Sequence, residues 1–128
     1  MRYIVMVRSS KAHEAGAMPS AELVANMGAF NQQLAKAGVL LAADGLYPSS
    51  AGLRIKYSGS KANVTDGPFA ETKELIGGFW LVQVKSREEA IEWFTRCPFE
   101  NDEEIELRRI YDAEDFVAAM EAPGAHAS

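Results

Sequence analysis

Short apolar segments and two capped helical segments follow one another along this chain in an order that leaves few folds open. Residues 3–7 are apolar and rich in strand-forming types, and residues 39–43, 79–84 and 104–110 read the same way. One helical segment separates the first pair of these strands, and a second separates the last pair. The pattern therefore reads strand, helix, strand, and later strand, helix, strand.

Both helical segments carry recognisable ends. Ser20 can cap the first by accepting a hydrogen bond from a free backbone N–H, and Gly38 can adopt the left-handed conformation that stops it. Ser86 and Glu89 form a capping-box pattern that opens the second, and Pro98 marks its end. The first segment has apolar residues at helical spacing, which predicts an amphipathic helix: Leu23, Met27, Phe30 and Leu34.

Between the second and third core strands the sequence predicts a β-hairpin. Residues 53–57 alternate apolar and basic side chains, residues 63–65 can pair with them, and residues 58–61 suit the turn. Asp66-Gly67-Pro68 ends the second arm, because proline cannot donate to a strand ladder. Residues 9–19, after the first strand, show no periodicity and are expected to form an exposed loop.

This order predicts an α+β fold, a ferredoxin-like βαββαβ domain with a hairpin insertion. We expect the domain to cover residues 1–111. Residues 112–120 are predicted to form a short terminal helix, and residues 122–128 a frayed tail, so that 112–128 stands apart from the domain.

The central strands are apolar on both faces. In the first strand Tyr3, Val5 and Val7 alternate with Ile4 and Met6. Because two helices cover only one sheet face, we expect a second copy of the chain to cover the other, giving a homodimer through the sheet face. The alternative is that loops or the C-terminal helix cover that face within one chain.

Charge and composition argue against several classes of partner. The formal net charge is -5, with 13 basic and 18 acidic residues, which disfavours nucleic acid as a partner. The apolar run at the N-terminus is too short for a signal peptide or a membrane span, so the protein is expected to be cytoplasmic and not to act at a membrane. One cysteine and two histidines provide no spacing typical of a metal or haem site, and we expect neither metal nor cofactor.

One segment is more specific than the rest. Residues 66–74 read DGPFAETKE and are followed by Gly77-Gly78-Phe79, while residues 37–41 read AGVLL and lead into Asp44-Gly45-Leu46. This pattern closely resembles the DGPF group of the YCII-related family. The resemblance implies a dimeric α+β barrel with a pocket beside the sheet.

The resemblance implies less about the reaction. Some YCII-related proteins are enzymes in which a histidine on the first helix works beside an aspartate, and a dehydrochlorinase acting on a chlorinated aromatic ring is one of them. In this chain Met27 occupies the position of that histidine. Relatives of the DGPF group are also often encoded beside sigma factors of the extracytoplasmic-function class, which implies a role in regulation.

Three carboxylates are the candidate catalytic residues: Asp66, Glu71 and Asp44. Carboxylates held close together have one pKa raised, so that one can act as an acid while another stays ionised. Residues expected to bind a substrate around them are Lys73, Glu74, Phe69, Arg8 and His13. The competing interpretation is that 66–68 is only a turn, that 71–74 is solvated, that His13 is a surface side chain and that Arg8 merely bounds its strand.

Three functions follow from these observations. The first is a small molecule binder, with lyase-like acid–base activity at the acidic loop. The second is a non-catalytic regulatory partner protein linked to such a sigma factor. The third is a cofactor-free monooxygenase, which rests on analogy between folds alone.

Overall fold

The fold was obtained as a computed structural model, and the structure describes residues 1–121, apart from the side chain of Lys73. The predicted frayed tail, residues 122–128, lies outside the described residues. The helices and strands in chain order are β1 (Arg2–Arg8), α1 (Lys11–Glu14), α2 (Ala21–Lys36), β2 (Leu40–Gly45), β3 (Leu53–Ser58), β4 (Lys61–Asp66), β5 (Ile76–Gln83), α3 (Arg87–Thr95), β6 (Ile105–Arg109) and α4 (Ala113–Glu121).

The main sheet has four strands in the order β2-β5-β1-β6, and every neighbouring pair is antiparallel. Both strand–helix–strand units contribute to it, with the first strands of the units, β1 and β5, in the centre. The predicted α+β, ferredoxin-like arrangement is confirmed. The strands β3 and β4 form the predicted hairpin as a separate two-stranded sheet.

The core lies between one face of this sheet and the helices α2 and α3. Phe30 from α2 and Phe94 from α3 meet Trp80 of β5 edge to face, with ring centroids 5.2–6.2 Å apart. Leu34 and Val5 are fully buried beside them. The indole N–H of Trp80 donates to Asn31 Oδ1 at 2.7 Å, so its polar atom is satisfied inside the helix–sheet layer.

The predicted helix ends are confirmed. Ser20 Oγ accepts from the N–H of Leu23 at 3.1 Å, and Ser86 Oγ accepts from the N–H of Glu89 at 3.0 Å. Gly38 has a φ of 74°, the left-handed conformation that ends α2.

The prediction of an irregular loop over residues 9–19 is wrong in part. Residues 11–14 form the short helix α1, and Ser10 Oγ caps it by accepting from the N–H of His13 at 3.1 Å. One turn is too short to show a hydrophobic period, so only the local cap signals this helix.

The strand β5 begins at Ile76 rather than at 79, because Gly77 and Gly78 continue the ladder. Gly78 lies opposite Val7.

The second face of the main sheet remains partly open. Ile4, Met6, Phe79 and Leu81 point to this outer face and are partly exposed. The terminal helix α4 does not cover it, since Phe116, Val117 and Met120 on that helix are themselves 52–80% exposed. No helix within residues 1–121 is long and apolar enough to cross a membrane.

Candidate functional site

The antiparallel topology brings most of the predicted site residues to one end of the sheet. At this end, called here the loop end, β1 and β2 finish and β5 and β6 begin. Arg8 closes β1, α1 follows it, and the hairpin and the DGPF segment connect β2 to β5. Side chains that are far apart in the sequence are therefore neighbours here.

Three residues from three segments clamp this region together. The Glu14 carboxylate accepts from the N–H of Ser49 at 2.8 Å and also from the Ser49 hydroxyl. The same hydroxyl oxygen accepts from the N–H of Phe69 at 3.0 Å. The hydrogen bonds from the hydroxyl and then from the backbone N–H of Ser49 lower the pKa of Glu14 below its usual value. This Glu14–Ser49–Phe69 clamp joins α1 to the DGPF segment.

The glycine of the DGPF segment is required by close backbone contact. The N–H of Gly67 donates to the carbonyl of Gly52 at 2.9 Å, which closes the base of the hairpin. A Cβ atom at position 67 would lie 1.8 Å from the carbonyl oxygen of Ser49. No other residue fits without a backbone shift.

The aromatic residue of the segment contacts a cation. The Arg54 guanidinium lies 3.7 Å from the ring centroid of Phe69, which is cation–π geometry. Arg54 is also close enough to Glu74 to favour its ionised form. The hairpin therefore contributes a positive charge to the loop end.

Two of the predicted carboxyl groups form a pair. The side chains of Glu71 and Glu74 are within hydrogen-bonding reach, across the short 3-10 turn Thr72–Glu74. The hydrogen bond with Glu71 and then its negative charge raise the pKa of Glu74 above its usual value, while Arg54 and Arg8 oppose this shift. Both glutamates are exposed. A proton held by Glu74 can be donated to the Glu71 carboxylate.

Arg8 is held by two carboxylates, one just before and one on the neighbouring strand β6. Its guanidinium contacts Glu104 at 2.8 Å and Glu106 at 3.0 Å. These ion pairs fix the side chain at the end of β1, where its charge also acts on Glu74. Its role in the structure is more than a strand boundary.

His13 lies on α1 against the start of β5. A Cβ atom built at Gly77 would lie 3.5–3.6 Å from the His13 ring atoms, and Ser9 is beside it. The Nε2 atom of His13 is buried and has no hydrogen-bond partner in the described part of the chain. The side chain is thus packed at the loop end rather than free on the surface.

The two aspartates lie apart from this cluster. Asp44 is opposite Phe79 in the β2–β5 ladder and so lies on the outer face, at the exposed edge of the sheet. Asp66 is the exposed last residue of β4. Among residues 1–121 neither side chain forms a hydrogen bond or an ion pair. The side chain of Lys73 lies outside the described residues.

The sequence did not identify Glu14, Ser49 or Arg54 as site residues. Glu14 and Ser49 are in segments without periodicity, and Arg54 lies on the polar face of the predicted strand 53–57.

Two clefts, of about 90 and 230 Å³, lie between α2 and the segment after α3, away from the DGPF segment. Their lining includes Asn26 and Pro98 in both cases.

Two known proteins are similar to this chain. A curated relative, an uncharacterised protein of Rhizobium meliloti (strain 1021), is 35% identical over 68 residues, which are 53% of this chain and 55% of the relative. The match therefore spans about half of the relative's length. A solved structure of 5-chloro-2-hydroxyhydroquinone dehydrochlorinase from Burkholderia phenoliruptrix AC1100, in complex with 2,5-dihydroxybenzoquinone, superposes with a TM-score of 0.44 at 12% identity, over 89% of this chain and 98% of that one.

The family model described as the YCII-related domain matches residues 1–114, which is most of the chain. On that match, together with the DGPF segment at the loop end, this chain belongs to the YCII-related family.

Proposed function

We propose that this protein binds a small molecule at the loop end of the sheet and moves a proton on it with the Glu71–Glu74 pair. The observation that carries the proposal is the contact between these two carboxyl groups, which raises the pKa of Glu74. Two carboxyls that share a proton provide an acid and a base side by side. That is the minimum required for lyase-like proton transfer.

The surroundings of the pair favour a small ligand with an anionic group and an apolar body. Arg8 and Arg54 contribute positive charge next to Glu74, and the Phe69 ring provides an apolar surface. A hydroxylated aromatic acid combines these features.

The first test is whether the carboxyl pair titrates as proposed. We expect the side-chain carboxyl of Glu74, followed by ¹³C NMR, to titrate above 4.5, its ordinary value. In a Glu71→Gln variant this upward shift should shrink, because the negative charge of Glu71 is removed. Glu92→Gln, an exposed change on α3, is the matched control and should leave the titration of Glu74 unchanged.

The second test is ligand binding by the whole chain. A panel of benzoate, 4-hydroxybenzoate and other small carboxylic acids and phenols is titrated against ¹⁵N-labelled protein. We expect saturable shifts at the amides of Phe69, Glu74 and Gly77, and weaker binding in Arg54→Gln. If no member of the panel perturbs these amides while the pair titrates normally, the proposal is wrong.

A second candidate function is supported by a different observation. The hairpin exposes apolar side chains, including Ile55 at 46% and Tyr57 at 76%, which is unusual for a site built only to hold a small molecule. A non-catalytic partner protein would use such a surface for protein contacts. It would bind no member of the ligand panel, and Glu74→Gln would leave its interactions unchanged.

A further inference from the structure

The strand β6 forms one edge of the main sheet, with β1 as its neighbour on the other side. Where this pairing starts, the N–H of Arg8 donates to the carbonyl of Glu104 at 3.0 Å, and where it ends, the N–H of Ile110 donates to the carbonyl of Arg2 at 2.9 Å. The bonding direction alternates from residue to residue along an antiparallel strand. The N–H and C=O groups of residues 105, 107 and 109 therefore point away from the sheet.

These outward groups are open to a further strand. Within residues 1–121, no backbone hydrogen bond joins residues 105, 107 or 109 to another segment. The strand also has neither a proline nor a bulge, two common means by which a sheet edge is closed to pairing. A strand laid along this edge would satisfy the outward groups.

The charged side chains of β6 restrict which strand can pair with it. Glu106 and Arg108 lie opposite Met6 and Ile4 in the ladder, so both point to the outer face of the sheet. When β6 pairs antiparallel with β6 of a second copy, centred on Leu107, Glu106 of each copy lies directly opposite Arg108 of the other. Opposite charges at directly opposed positions stabilise a strand pair.

The same charges select one register. Outward groups must face outward groups, so the pairing can be centred on 106, 107 or 108 but not between two residues. A pairing centred on 106 places Glu106 against itself, and one centred on 108 places Arg108 against itself, both of which are unfavourable. The strand β6 is thus complementary to itself in the register centred on Leu107.

We propose that β6 pairs in this way with β6 of a second copy, which joins two four-stranded sheets into one sheet of eight strands. A two-fold axis perpendicular to the sheet relates the copies, and the two Glu106–Arg108 pairs flank it. Among residues 1–121, Arg108 forms no ion pair or hydrogen bond within its own chain. Glu106 already binds Arg8, and a carboxylate can accept from a second arginine. The contact goes beyond the proposed function and does not depend on the Glu71–Glu74 pair.

Amide hydrogen exchange of the wild-type chain at about 100 µM, above the dissociation constants of specific complexes, tests the backbone contact. We expect the Leu107 amide to be protected, because the second copy accepts its hydrogen bond. The Arg108 amide, which faces β1, is the internal reference for a bonded position. A Leu107 amide that exchanges as fast as an unbonded one would overturn the proposal and leave the edge to a strand of another protein. A dimer through the outer sheet face would also leave this amide unbonded.

Charge reversal tests the register and the identity of the partner. Arg108→Glu places two glutamates opposite each other on both sides of the axis, and Glu106→Arg does the same with arginines. Each variant alone should pair about tenfold more weakly or worse in sedimentation velocity, with loss of protection at the Leu107 amide. An equimolar mixture should regain both, since every pair is again Glu opposite Arg.

Arg87→Glu, an exposed change at the start of α3, is the matched control and should pair like the wild-type chain. Single variants that pair as tightly as the wild-type chain would overturn the proposed register. So would a mixture in which the Leu107 amide stays as unprotected as in the separate variants.

Discussion

Gly67 shows how one residue of the DGPF segment is required by backbone packing rather than by chemistry. Its amide closes the base of the hairpin on Gly52, and its missing side chain leaves room for the carbonyl of Ser49. The side chain of Asp66 before it makes no hydrogen bond or ion pair in the described structure, so the glycine has the clearer structural reason to be there.

We therefore expect Gly67→Ala to lower the free energy of unfolding by about 1 to 3 kcal/mol, because the new methyl group overlaps a backbone oxygen. Urea unfolding monitored by Trp fluorescence measures this. Gly28→Ala is the matched comparison: Gly28 lies inside α2 with nothing within 4 Å of an added Cβ atom, so this change should stabilise the chain by up to about 1 kcal/mol. Equal effects of the two changes would contradict this account of Gly67.

The acidic residues of the same segment show that side chains close together in sequence need not meet in the fold. Asp66, Glu71 and Glu74 are close in sequence, and the structure brings only the two glutamates together. Their spacing of three residues across a 3-10 turn places both side chains on one side of that turn. The interaction is a consequence of the turn, which the sequence did not predict.

At the scale of secondary-structure elements, the loop end is assembled by hydrogen bonds between short segments. The helix α1 has one turn and cannot be stable alone. Glu14 at its end binds Ser49 in the turn before the hairpin, and Ser49 binds the backbone of Phe69. The clamp thus holds α1, the hairpin base and the DGPF segment in one arrangement.

This clamp predicts a pH-dependent contribution to stability. The pKa of Glu14 is lowered in the folded chain from 4.5, so its ionised form stabilises the fold at neutral pH. That contribution is complete above about pH 5.5 and disappears as the pH falls through 4.5 and then through the lowered folded value. Urea midpoints of the wild-type chain and Glu14→Gln should differ at pH 7 and converge once the pH falls below the lowered folded pKa of Glu14.

Glu92→Gln serves as the comparison for this titration, since Glu92 is exposed on α3. The difference between this variant and the wild-type chain should be small and should not follow the same pH dependence. A Glu14→Gln variant as stable as the wild-type chain at pH 7 would show that the clamp contributes nothing.

For the whole molecule, the outer face of the sheet remains the strongest reason to propose a homodimer. Ile4, Phe79 and Leu81 lie next to one another there and are partly exposed, and α4 does not cover them. A second copy would remove this apolar surface from water, at about 25 cal/mol per Å².

We expect Leu81→Lys to weaken the dimer in sedimentation velocity, because a charge would be buried between the two sheets. Gln32→Lys, on the exposed side of α2, adds the same charge away from the sheet and should have no effect. A wild-type dimer that tolerates Leu81→Lys would show that the sheet face is not the interface.

The sequence by itself determined the α+β class, the order of strands and helices along the chain, and the ends of both capped helices, because these depend on local signals. Apolar periodicity, Ser20, Ser86 and Gly38 act within a few residues of their own position. The hairpin was also predicted, since a glycine turn and a terminating proline are local features.

Only the tertiary structure decided which residues meet at the loop end. The Glu14–Ser49–Phe69 clamp joins residues that are 20 to 35 positions apart, and Arg54 reaches Phe69 only because the hairpin folds back on its base. Asp44 is separated from this cluster because the β2–β5 register turns it to the outer face. Contacts of this kind depend on strand register and chain reversal, which no short stretch of sequence specifies.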